Sequence, residues 1–352
     1  MTELKQGHLQ GTTLYSYTRM FHQGEATMEE LIREVARRGQ GPGLEVIGFQ
    51  SIRNWPNPGA DFIKSFKGII DETGLIPTSM AVNADIGLRR DRNLTHDEMI
   101  DYMAAQINMA STLGFPVARV QISMTPDIME ALLPVAEKAN VKLGLEIHSH
   151  HSPRHPDMVA HRERYERLDS GYLGFVPDWG TTCVQMPPSL IEKYRKTGVP
   201  EEMITELEAL WQVHHSEGAP HDGPTQGRRM GQVAGIAAKY GFGETAIDYA
   251  INHCGLFGHA DPEEWRDIMH LVWHTHGKFF GMHDGVEPST PIPDILKVYA
   301  DVGYTGSISS EYEGFHWNNW SNPFDQVDAH QKFIRETMAG YGYKVKTARK
   351  HC

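Results

Sequence analysis

Four short segments of this 352-residue chain end in groups that hold metals or move protons. Leu145-Glu146-Ile147-His148 closes one apolar run and Phe175-Val176-Pro177-Asp178 closes another. His274-Thr275-His276-Gly277-Lys278 forms a third, and Ser309-Ser310-Glu311-Tyr312-Glu313 ends a fourth. Side chains alternate between the faces of an extended strand. Glu146 therefore shares a face with His148, His274 and His276 with Lys278, and Glu311 with Glu313. Carboxylates brought this close repel unless a cation or a proton lies between them. Glu146, Asp178 and Glu311, joined by an imidazole from the third segment, predict one divalent metal. Residue types alone leave that imidazole open among His274, His276 and His283. Oxygen donors with one imidazole and no thiolate suit Mn2+ first, with Mg2+, Co2+ and Zn2+ as alternatives. A buried salt bridge between strands is the competing reading of Glu146.

The elements that must position these groups alternate along the chain. β-branched runs cover GTTLYSYT (Gly11–Thr18), GLEVIGF from Gly43, IPTSMAV from Ile76 and PVARVQIS from Pro116. KLGLEIHS (Lys142–Ser149), LGFVPDWG (Leu173–Gly180), HTHGKFFGMH from His274 and GSISSEYE from Gly306 complete eight. Amphipathic stretches lie between them, over Met28–Arg38 and Ala60–Glu72, from Thr95 with Glu98 as a capping partner, and from Thr125. The pattern predicts an α/β fold, a (β/α)8 TIM barrel in one domain spanning residues 1–352. An open doubly wound sheet is disfavoured, because no G-x-G-x-x-G follows the first strand. In a barrel the active site lies at the C-terminal strand ends, where the four segments finish. Roughly 98 residues separate Asp178 from His276, against about 30 for a simple βαβ step. The excess predicts a helical insertion between strands six and seven, at about residues 185–260. Its helices run through PEEMITELEALWQVHHS, GQVAGIAAKYG and GETAIDYAINHCG. A lid, a subunit contact, or both are the expected roles.

Composition narrows the class. The chain is 40% hydrophobic and 22% charged, without an apolar run long enough for a membrane span. Its start, MTELKQGHLQG, lacks the basic and apolar regions of a secretory signal. Cys183, Cys254 and Cys352 are widely spaced, which predicts free thiols in a reducing cytoplasm. A formal charge of −12 disfavours nucleic acid, which needs a basic face. Most of the 20 histidines, His8, His22 and His96 among them, are expected to be ordinary.

HTHGKFF at His274–Phe280, EPS at Glu287–Ser289 and GYTGSISSEYEGF at Gly303–Phe315 resemble segments of the sugar phosphate isomerase/epimerase family, with its xylose-isomerase-like barrel. The likeness covers most of the chain in architecture and about the last 80 residues in motif. It implies a divalent metal on Glu146, Asp178, the second histidine of H-x-H (His276) and Glu311. Ketose 3-epimerases of that group carry a second glutamate six residues beyond the first ligand. This chain has Ser152 there, beside His148, His150 and His151, so the two-glutamate epimerase mechanism is not carried over. The histidine two residues after the first glutamate, His148, and the S-E-Y-E-G strand end at Ser310–Gly314 also resemble the larger subunit of bacterial C-glycoside deglycosidases. Those enzymes cleave a carbon–carbon glycosidic bond in a 3-keto sugar and work with a small β-sandwich partner subunit.

Both resemblances imply a small-molecule sugar or glycoside substrate, an oligomeric enzyme and a shared first step. A proton next to a carbonyl is removed, giving a metal-stabilised enediolate. His148 is the candidate base, with an outer partner of the metal as its competing reading. Lys278 either stabilises the oxyanion or pairs with a carboxylate, and Glu313 binds hydroxyls or carries a proton. Reprotonation gives an isomer or epimer; loss of a leaving group gives elimination. Trp179, Trp317 and Trp320 are expected in a sugar pocket or in packing contacts. His283 and Asp284 fall in the loop after strand seven, where they are candidates for substrate contact. An abasic-site endonuclease and a non-catalytic subunit are the remaining classes.

Overall fold

The computed structural model describes residues 4–121 and 123–347, so the thiol expectation for Cys352 lies outside the described residues. Eight parallel strands form the wall: β1 (Lys5–Thr13), β2 (Gly43–Ile47), β3 (Ile76–Ala81), β4 (Val117–Val120), β5 (Lys142–Ile147), β6 (Leu173–Pro177), β7 (His274–Phe279) and β8 (Ser307–Tyr312). They pair in the order β6-β5-β4-β3-β2-β1-β8-β7. The ends of that path meet through two isolated parallel bridges, Phe175 with Val272 and Asp178 with His276. The result is the expected barrel. β6, β7 and β8 are buried at every position, as strands covered on both faces must be.

Helices cover the outside: α1 (Met28–Arg38), α2 (Ala60–Thr73), α3 (His96–Thr112), α4 (Pro126–Ala139) and α5 (Pro156–Leu168). Thr27 with Glu30 and Thr95 with Glu98 form complete capping boxes, which fix where α1 and α3 begin. Thr125 caps α4 as its sequence position implied.

The insertion contributes α6 (Pro188–Lys196), α7 (Glu201–Glu217), α8 (Gly223–Lys239) and α9 (Ala246–Cys254); α10 (Ile292–Asp301) and α11 (Pro323–Gly340) complete the outer layer. The insertion has its own hydrophobic cluster, including Leu207, Trp211, Val233 and Phe257. That cluster reaches Phe280 and Trp317, which follow β7 and β8, so the insertion rests on the C-terminal rim.

Several elements differ from expectation. β1 begins at Lys5 and stops at Thr13, whose hydroxyl accepts the Tyr15 amide and starts a 3-10 turn over Leu14–Tyr17. α6 was not expected. α8 begins at Gly223 rather than near Gly231, because Asp222 accepts the Thr225 amide at 2.6 Å and Pro224 suits a first turn. A short β9 (Tyr343–Lys346) pairs with the outer part of β1. No helix among the described residues is long and apolar enough to cross a membrane.

Candidate metal centre at the barrel mouth

Strand alternation and barrel register together decide which side chains meet. β5 carries Glu146 in its last turn of alternation, and His148 follows one residue past its end, half-buried. β7 and β8 set Lys278 beside Glu311 and His276 beside Ser309. The seam aligns Asp178 with His276. Glu146, His148, Lys278, Glu311 and Glu313 line one cavity of about 390 Å³ together with Tyr15 and Arg119, and Asp178 and His276 lie against them.

Nδ1 of His276 lies 2.7 Å from Glu146 Oε1 and 3.3 Å from Glu311 Oε2. Ligand atoms of Glu146, Asp178 and His276 all fall within 4.8 Å of one another. Buried His276 Nδ1, Asp178 Oδ2 and Glu311 Oε2 are nevertheless without an aligned hydrogen bond. Close approach without alignment is how donors stand around a shared centre, and the donor set fits a divalent ion. Three of the four predicted ligands form one group, and Glu311 joins it through His276. Glu45 completes the arrangement from β2, with Oε1 3.0 Å from His276 Nε2. A carboxylate can only accept, so Nε2 carries the proton there and Nδ1 is left to face the cluster.

Lys278 is 2% exposed, with its Nζ 2.5 Å from Asp178 Oδ2, 2.9 Å from Glu313 Oε2 and 3.0 Å from His148 Nε2. Its ammonium can only donate, so His148 Nε2 accepts. His148 Nδ1 lies 2.7 Å from the Ser149 carbonyl, which requires the ring proton on Nδ1. The hydrogen-bond network thus assigns the lone pair to Nε2, where it accepts from Lys278. Glu313 also accepts from the Tyr15 hydroxyl at 3.4 Å, and the same hydroxyl lies 3.2 Å from exposed His316.

The electrostatics follow from this crowding. Glu45, Glu146, Asp178, Glu311 and Glu313 face two permanent cations, Lys278 and Arg119. Burial, reinforced by Asp178 and Glu313, pushes the Glu311 carboxyl up despite His276 and Lys278. Burial alone would lower Lys278, but Asp178 and Glu313 hold its pKa well above the lysine range. His276 is likewise held well above the histidine range: Glu311 and Glu45 outweigh its burial.

Other expectations separate cleanly. Trp179 is fully buried against Tyr299, and Trp317 packs on Phe257 and Phe280 in the insertion cluster, so both serve packing. Trp320 is exposed, with Lys196 Nζ 3.9 Å from its ring centre. None of the three lines the cavity, and neither does His283 or Asp284. Ser152 is buried and its hydroxyl accepts the Arg154 amide, so no carboxylate replaces the absent epimerase glutamate at that point. Sequence reasoning missed Glu45, Arg119 and Tyr15. The signal for the first two was a charged residue inside an apolar strand, GLEVI and VARV.

No protein-family model matches the chain. It is 49% identical over 336 residues to the C-glycoside deglycosidase alpha subunit of Arthrobacter globiformis, covering 95% of this chain and 92% of that protein. It is 44% identical to the 3'-dehydrocarminate deglycosidase alpha subunit of a Microbacterium species, covering 92% and 94%. Among solved structures, L-ribulose 3-epimerase superposes with a TM-score of 0.55 at 14% identity, over 95% of each chain, and shares the fold.

Proposed function

The chain belongs to the C-glycoside deglycosidase alpha-subunit family, and on that premise we propose that it is the catalytic subunit of an enzyme cleaving a 3-keto C-glycoside by β-elimination. Glu146, Asp178, His276 and Glu311 are assigned as ligands of one divalent ion, Mn2+ on its oxygen-rich donors. When bound, that ion would polarise the substrate ketone and offset charge developing on the enolate oxygen.

The remaining steps belong to side chains. His148 takes the proton from the carbon between the ketone and the glycosidic carbon. The freed electron pair forms the new carbon–carbon double bond, and the bond to the aglycone breaks. Its electrons go to the aglycone carbon, which takes up a proton from the side of Glu313 and Tyr15. Lys278 supplies hydrogen bonds to the developing oxyanion while it separates Asp178 from Glu313.

The observation that carries this reading is the Nε2 lone pair of His148, 3.0 Å from Lys278 and 3.7 Å from Asp178. A base beside a candidate ligand suits proton removal next to a carbonyl that a bound ion would polarise. An isomerase or epimerase shares that first step and differs only in where the proton returns. The relatives' designation as alpha subunits supports a partner, here assigned as a small β-sandwich subunit in a larger oligomer.

The test uses the full chain, with and without a co-expressed small subunit, on 3-keto C-glycosides and on free ketoses. Released aglycone with an unsaturated keto sugar is expected. Interconversion of ketoses without aglycone release would assign an isomerase or epimerase instead.

A further inference from the structure

We propose a second divalent-metal site, separate from the barrel mouth, formed by His151, His155 and Asp157 where the loop after β5 enters α5. Asp157 Oδ2 lies 3.7 Å from His151 Nε2 and 3.6 Å from His155 Nδ1. Ligand atoms of the three fall within 4.8 Å of one another. Donors on a tetrahedral zinc-like ion stand roughly 3.4 Å apart for bonds of about 2.0–2.1 Å. Contraction by a few tenths of an ångström brings each imidazole to that distance from the carboxylate, and the two imidazole donors already lie within 4.8 Å of one another.

The imidazoles are in a state to bind. Burial lowers both His151 and His155 from the ordinary histidine value. The rings of His151 and His155 are 4.2 Å apart, and His150 stacks on His151 at 4.5 Å, shielding one side. Asp157 is exposed, which leaves an entry path from solvent. His155 Nδ1 accepts the Asp157 amide at 3.2 Å as the cap of α5, a long bond that an ion at Nδ1 would replace. His221, on the loop between α7 and α8, stands with its ring 6.5 Å from His155 and is a candidate fourth ligand from the insertion. An ion held there would fasten the loop that carries His148 to the start of α5, and through His221 to the insertion.

The test is Co2+ titration of the chelator-stripped full chain, followed by the visible absorption of tetrahedral Co2+. Two equivalents per chain are expected, with one lost in His151→Ala and in His155→Asn. The second substitution keeps a capping oxygen for α5 and removes the imidazole. Glu146→Ala is expected to spare the His151-dependent equivalent, which makes the two centres separable even if the barrel-mouth assignment fails. Binding that both His151→Ala and His155→Asn leave intact would overturn the proposal, whatever its stoichiometry.

Discussion

Glu45 spans both histidines of β7, its Oε1 3.0 Å from Nε2 of His276 and its Oε2 3.3 Å from Nε2 of His274. The carboxylate is fully buried, so its charge is held by those two rings and by nothing from solvent. Its removal should free the His276 tautomer. Glu45→Gln is expected to weaken divalent-metal binding by about 10–100-fold, the usual effect of losing a partner behind a metal-bound histidine. Calorimetric titration of stripped protein checks this, with circular dichroism unchanged.

His148→Gln should leave metal stoichiometry intact and lower kcat by about 10²–10⁴-fold, the range for a general base. Exchange of the substrate's α-proton with D2O should fall in parallel. Equal loss of metal and activity would instead make His148 a structural support of the centre.

Lys278→Met tests the buried charge cluster. Removing one partner of a buried ion pair costs about 3–5 kcal/mol, because the remaining charges lose their counter-ion. Lys278 sits between Asp178 and Glu313, and the thermal midpoint of stripped protein is expected to drop accordingly. Added metal should recover part of the loss by offsetting the same carboxylates.

Trp211→Ala opens a void in the insertion cluster, where that ring is 1% exposed. The cost is about 3–5 kcal/mol. Hydrogen exchange should rise across residues 185–260 first, while the barrel strands stay protected, because the two hydrophobic clusters are distinct.

Acid should destabilise the fold through buried histidines that stay neutral. Burial, with Lys346 adding to it, lowers His8 to about 3, and burial lowers His330 to about 3. Unfolded histidine binds a proton below about 6.5, so in the window from about 6.5 down to 3 the unfolded state holds more protons and stability falls with pH. At pH 5 each such group costs about 2 kcal/mol relative to neutral pH. Thermal midpoints should fall over that range, and His8→Leu should flatten the slope.

Much of this was legible because period-two alternation is local. Glu146 with His148, His276 with Lys278, and Glu311 with Glu313 needed only their own strands, and the pairs meet at one place in the barrel. Glu45 and Arg119 needed knowledge of what lies across the barrel, which no single strand carries. Lys278 was legible as a candidate, but its contact with His148, 130 residues away, depends on closure of the whole sheet. Tyr15 was hidden differently: its segment has strand-like composition, and only the Thr13 hydroxyl turns it inward as a 3-10 turn.

The seam between β6 and β7 has two isolated bridges where the other strand pairs have ladders. Gly174 permits even that approach, since a Cβ there would stand 2.1 Å from the Leu271 carbonyl oxygen. Asp178 and His276 lie on opposite sides of this weakest join, with the entire insertion spliced between them in sequence. An ion shared by these two residues would act as a rivet, carrying tension that backbone bonds carry elsewhere in the cylinder. Movements of the insertion would then pull directly on its coordination.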